Sequence, residues 1–116
     1  MLIIIENLFK LLFAHAIGDF ALQTPSIARG KNRHNKPKLS DIPEGQEYVP
    51  CWPYFLVGHA LVNGAIFWLF TGNIWIGIVE SFLHVIIDFI KCENITNPNS
   101  DQLLHFLCMI GYMFFM

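Results

Sequence analysis

Charge is scarce in this sequence. Asp, Glu, Lys and Arg make up 14% of the 116 residues, against a hydrophobic share of 54%, whereas a soluble domain carries about 25% charged residues. That shortage argues against an ordinary soluble domain; the soluble alternative is a small bundle hydrophobic on nearly every face. The net charge of −2 points to no nucleic-acid partner. Cys51, Cys92 and Cys108 form no CxxC pair and cannot all pair with one another. They read as free thiols in a reducing compartment or in lipid rather than as a disulfide scaffold. No Ser or Cys stands at a telling distance from a base, and there is no phosphate-binding glycine loop or nucleotide motif. The opening MLIIIENLFKLL has neither a basic region nor a small-residue cleavage site, so a retained helix is expected there rather than a secretory signal. Repeats and low-complexity tracts are absent, and the length suits one domain, residues 1–116.

What the sequence has is apolar runs. Four stand out: Leu2 to Gln23, Cys51 to Phe70, Ile74 to Lys91 and Gln102 to Met116. The first three approach the roughly 20 residues that cross a bilayer core of about 30 Å; the fourth is short and stops before the far surface. Thr71-Gly72-Asn73 is a turn signal, and Cys92 to Ser100 is a polar loop. Thr24 to Pro50 is the one long polar stretch, a loop with one short helix after Thr24-Pro25. The expected fold is therefore all-α, a four-helix up-down transmembrane bundle with one long polar loop between helices 1 and 2. Of the seven Lys and Arg, five lie between Arg29 and Lys38. Basic residues gather on the cytoplasmic side, so both polar loops are expected inside and the termini outward, in a multi-pass protein. Tyr48, Trp52 and Tyr54 would mark the inner interface, and Trp68 and Trp75 the outer one. Glu6 and Lys10, four apart, can pair with each other and snorkel to the outer headgroups. His34 is expected to be solvated, and the Asn94-Ile95-Thr96 sequon would face the cytoplasm.

Polar residues inside these runs are few and patterned. Helix one has His15, Asp19 and Gln23; helix two has His59 and Asn63; helix three has Glu80, His84 and Asp88; helix four has Asp101 and His105. A histidine and an acid four apart recur on three helices, and positions four apart share a helix face. In an up-down bundle all four helices bring these groups to one layer near the inner end. A charged carboxylate at that depth costs about 2.5–3.5 kcal/mol or more. Four of them, Asp19, Glu80, Asp88 and Asp101, need protonation, cationic histidine or metal. Taken singly, His59 reads as a hydrogen-bonded core histidine, Asp101 as a helix-start acid, and Gln23 and Asn63 as helix–helix contacts. Taken together they predict one or two divalent transition-metal ions, zinc foremost, held by a subset of His15, Asp19, His59, His84, Asp88, Asp101 and His105. Glu80 sits one turn deeper and reads as ligand, proton carrier or buried structural acid.

The runs AHAIGDFALQT, HALVN, LHVIIDFIK and DQLLHFL occur in the order found in the family catalogued as domain of unknown function 3307, small membrane proteins of bacteria and their phages, which this chain resembles from about Leu11 to Leu107. The loop from Gly30 to Pro50 lies outside that resemblance. It implies a bacterial or phage-encoded protein of the inner membrane. More loosely, His15 with Asp19 and His84 with Asp88 are similar to the pairs of membrane-bound metal-dependent hydrolases, and through them of the zinc phospholipase C and single-strand nuclease group. The expected function is then a metallohydrolase of a phosphoester or lipid headgroup at the inner leaflet, with Asp101 or Glu80 moving protons. The basic cluster would attract anionic lipid or substrate. The alternatives are an ion or proton transport component marked by Glu80, or a non-catalytic membrane protein that docks on a protein partner or on its own copies.

Overall fold

The computed structural model describes residues 1–116, and the chain is helical with no strand. Helix α1, Leu2–Ala16, runs directly into a π-helical turn, Ile17–Ala21. Helix α2, Pro25–Gly30, follows, then a 3-10 turn at Leu39–Asp41, α3 at Trp52–Thr71, α4 at Ile74–Cys92 and α5 at Pro98–Tyr112. A 3-10 turn, Met113–Phe115, closes the chain.

Helices begin where side chains satisfy the free N–H groups of the first turn. The Thr24 hydroxyl accepts from Ile27 N–H, with Pro25 in the first turn, where no N–H is needed. Asn73 does the same for Trp75 at α4, and Asn97 for Ser100 at α5. Between α3 and α4, Gly72 takes φ of 70° and returns its N–H to the Trp68 carbonyl, a left-handed cap that suits glycine. The short helix expected after Thr24-Pro25 is α2, which makes five α-helices with the four long ones. One boundary is corrected. The last helix starts at Pro98, ahead of Gln102, because Asn97 caps it.

The ends pair across the fold. The Asn73 side chain donates to the Phe115 carbonyl, which places the α3–α4 turn and the C-terminal turn together. At the other end Arg33 grips Glu93 at the close of α4, with Nε and an Nη at 2.6 and 2.8 Å from the two carboxylate oxygens.

Inside, the molecule is divided along its length. One part is an apolar cluster of Leu11, Ala14, Ile66, Phe67, Ile76, Met109 and Tyr112, drawn from α1, α3, α4 and α5. The other part is polar. Ten of the 24 buried residues are polar or charged, nearly as many as the 11 buried hydrophobic ones, so the usual sorting of polar groups to the surface is inverted. Correspondingly, the exposed positions of α4, Ile74, Trp75, Ile78, Val79, Phe82 and Ile86, are all apolar. By length and composition, one helix, Trp52–Thr71, suffices to cross a membrane. The other long helices are interrupted by charge or are short: α4 carries Glu80, Asp88 and Lys91, and α5 has 15 residues, about 22 Å at 1.5 Å per residue. Glu6 and Lys10 pair at 2.8 Å on the outer face of α1.

Candidate metal centre

Asp19 is the hub of the polar half. It sits on the π-helical turn, where Leu22 N–H reaches back five residues to the Ile17 carbonyl. Single π turns of this kind concentrate at functional sites. The turn can approach α3 closely because residue 18 is glycine: a Cβ there would fall on the Asn63 side chain. Asn63 in turn donates to the His59 carbonyl at 3.1 Å.

The four helical histidines surround Asp19. Its Oδ1 lies 3.1 Å from His59 Nε2 and 3.0 Å from His84 Nε2. Its Oδ2 lies 3.6 Å from His15 Nε2 and 3.9 Å from His105 Nε2. All five side chains are buried. The helix-by-helix layer expected from the spacing is thus a single cluster, with the His84 and His105 ring centres 4.5 Å apart.

Hydrogen bonds leave this cluster incomplete. His15 Nδ1, both ring nitrogens of His105 and Asp101 Oδ1 are buried without a hydrogen-bond partner. Such atoms cost about 1–3 kcal/mol each when left unsatisfied. Donor atoms of Asp19, His59 and His84 lie within 4.8 Å of one another, and the residue types are those of catalytic zinc sites, two histidines and a carboxylate. The residues present therefore fit a divalent ion. Two further sets, Glu80 with His84 and His105, and Asp19 with Asp101 and His105, meet the same distance.

The remaining site residues fall around this set. Glu80 lies behind His84: its Oε1 is 3.0 Å from His84 Nδ1, and its Oε2 accepts from the Tyr112 hydroxyl at 2.7 Å. His15 meets the Gln102 carboxamide oxygen at 3.0 Å. Asp88 Oδ2 lies 3.5 and 3.6 Å from His84 and His59, but its nearest partner is Lys31, at 2.6 Å. Asp101 Oδ2 accepts from Lys91 at 2.9 Å and from Gln102 at 3.2 Å.

Two lysines change the charge count. Lys31 is only 4% exposed; its ammonium is shared between Asp88 and Gln23. Lys91 bridges Asp101 and Asp88. The expectation of four carboxylates with no cation but histidine or metal is therefore corrected. Two ammonium groups leave two negative charges when the imidazoles are neutral, which is the charge of one divalent ion. His34 is likewise corrected: it is not merely solvated but lies 3.1 Å from Glu93.

Sequence reasoning assigned no role to Lys91, Gln102 or Tyr112, and treated Lys31 only as one member of the basic cluster. Lys91 had a signal, since it follows Asp88 by three on one helix face. Tyr112 had another, standing seven after His105, two turns along the same face. Lys31 had none that set it apart from its basic neighbours.

Fold and site together define an all-helical protein with a buried histidine–carboxylate–lysine centre. The chain belongs to the family described as protein of unknown function, DUF3307, whose family model matches residues 7–116. No curated protein and no solved structure matches it.

Proposed function

We propose that this is a multi-pass inner-membrane protein that holds one divalent transition metal, zinc foremost, on Asp19, His59 and His84, and hydrolyses a phosphoester at the inner leaflet. The observation that carries the reading is the buried Asp19–His59–His84 donor set with unpartnered ligand atoms beside it. Lewis acidity toward water and toward a phosphoryl oxygen is what such an ion supplies when bound. The chain's own residues do the rest. Glu80 fixes the orientation of His84 through Nδ1, and Tyr112 fixes Glu80, the outer support that histidine ligands commonly have. Lys31 adds a positive charge beside the set, which favours an anionic substrate. Asp101 is the acid best placed to move a proton, since its Oδ1 is buried and unpartnered.

The membrane assignment is supported by the apolar exterior around a polar interior. Helices α4 and α5 can then lie in lipid because their charges are turned inward and paired, and on α1 the outward Glu6 and Lys10 pair with each other. The basic residues of the stretch between α1 and α3 favour an inward-facing site end.

Elemental analysis of detergent-purified protein should find one zinc or similar ion per chain, lost in His84→Ala. Hydrolysis of a phosphodiester or phospholipid headgroup should vanish with it. Metal without hydrolysis would remove the enzymatic half of the proposal; absence of metal would remove all of it.

One observation favours a second reading. The chain Tyr112–Glu80–His84 continues from the centre into the apolar half, as a proton path would. Proton or zinc flux in liposomes that disappears in Glu80→Gln would select transport over hydrolysis.

A further inference from the structure

Asp19 belongs to two donor sets at once. One is Asp19, His59 and His84; the other is Asp19, Asp101 and His105, again with donor atoms within 4.8 Å of one another. The second set is even less satisfied than the first. Neither ring nitrogen of His105 has a hydrogen-bond partner, nor does Asp101 Oδ1, and both residues are at most 2% exposed. His105 Nε2 stands 3.9 Å from Asp19 Oδ2 and 3.9 Å from Asp101 Oδ1, which leaves a space between the three rather than direct bonds.

What occupies this set electrostatically is Lys91. Its ammonium holds Asp101 Oδ2 at 2.9 Å. Unlike Lys31, Lys91 has a way out. Its side chain is 26% exposed, and it lines a polar cavity of about 460 Å³ at the α4–α5 corner, with Asn94, Thr96 and Asn97. The cavity gives the ammonium polar surroundings to move into. Asp88, its other partner, would keep Lys31.

We propose that Asp19, Asp101 and His105 form a second divalent-cation site, bridged to the first by Asp19, which Lys91 holds closed until its ammonium swings into the α4–α5 cavity. With Lys91 in place the centre balances one divalent ion. With Lys91 withdrawn, Asp101 regains an uncompensated charge, and a carboxylate shared by two ions holds them close, as in two-metal hydrolytic sites. The inference rests on the metal reading above.

Zinc titration of the full chain in lipid nanodiscs, with bound metal counted by elemental analysis, tests it. Wild type should take up one tight zinc and a second at higher concentration. Lys91→Gln should bind the second at least tenfold more tightly. Asp101→Asn and His105→Ala should lose the second ion and keep the first, and the retained first ion reports an intact fold in each variant. The comparison of wild type with Asp101→Asn at high zinc stands even if Lys91→Gln does not fold. One ion in wild type at every concentration, or a second ion that survives Asp101→Asn and His105→Ala, overturns the second site and leaves the first. No ion in wild type overturns both.

Discussion

Lys31 Nζ lies 2.6 Å from Asp88 Oδ2, although 57 positions separate the two residues in the chain. The contact pulls the start of the polar stretch under the helices, and both partners are buried. Removing one partner of a buried pair strands the other, at a cost of about 3–5 kcal/mol. Lys31→Met should therefore lower thermal stability sharply in detergent, while Lys31→Met with Asp88→Asn should recover most of the loss. Strictly additive losses in that cycle would show that the two groups do not depend on each other.

Glu80 and Tyr112 act on the centre through His84. Glu80→Gln weakens the acceptor at His84 Nδ1, and loss of such support typically costs 10–100-fold in metal affinity. Tyr112→Phe should weaken binding less, since it stands one hydrogen bond further out. Equilibrium dialysis against zinc gives both numbers; equal affinities in all three proteins would count against the arrangement.

Gly18 permits the contact between the π turn and α3. In Gly18→Ala the new methyl meets the Asn63 side chain, and overpacking of this kind costs about 1–3 kcal/mol. Gly18→Ala with Asn63→Ala should restore part of that stability, because the clash is removed. Denaturation midpoints of the two variants decide it.

The Arg33–Glu93 pair fastens the segment that follows Lys31. The hydrogen bond from Arg33 holds the Glu93 carboxyl below the ordinary glutamate range. A depressed carboxyl contributes stability above its unfolded value and loses it as pH falls through the folded one. Protection of the amides of residues 32–38, as hydrogen exchange relative to the intrinsic rate at each pH, should thus be high near neutral pH and fall in acid, below the ordinary glutamate range. In Arg33→Ala it should be low already at neutral pH. Protection in the unaltered protein that stays constant across that pH range would contradict the clamp.

Orientation has a direct test. Reporters fused at Lys36 and at Met116 should be active on opposite sides of the membrane, cytoplasmic for Lys36. Cytoplasmic activity at Met116 would reverse the placement of that end.

The sequence by itself determined the helices and the faces that carry histidine and acid. Caps and glycine turns act over a few residues, so Thr24-Pro25, Thr71-Gly72-Asn73 and the four-residue spacing of His84 and Asp88 are legible without a fold. The apolar exterior was legible too, from the scarcity of charge. Tertiary structure alone decided that Asp19 is the hub, that Glu80 backs His84 against Tyr112, and that Lys31 is buried while its neighbours face water. Those outcomes depend on the rotation of each helix and on where a loop returns. Contacts made across 32 to 87 positions, such as Tyr112 with Glu80 or His15 with Gln102, leave no mark in the local pattern of residues.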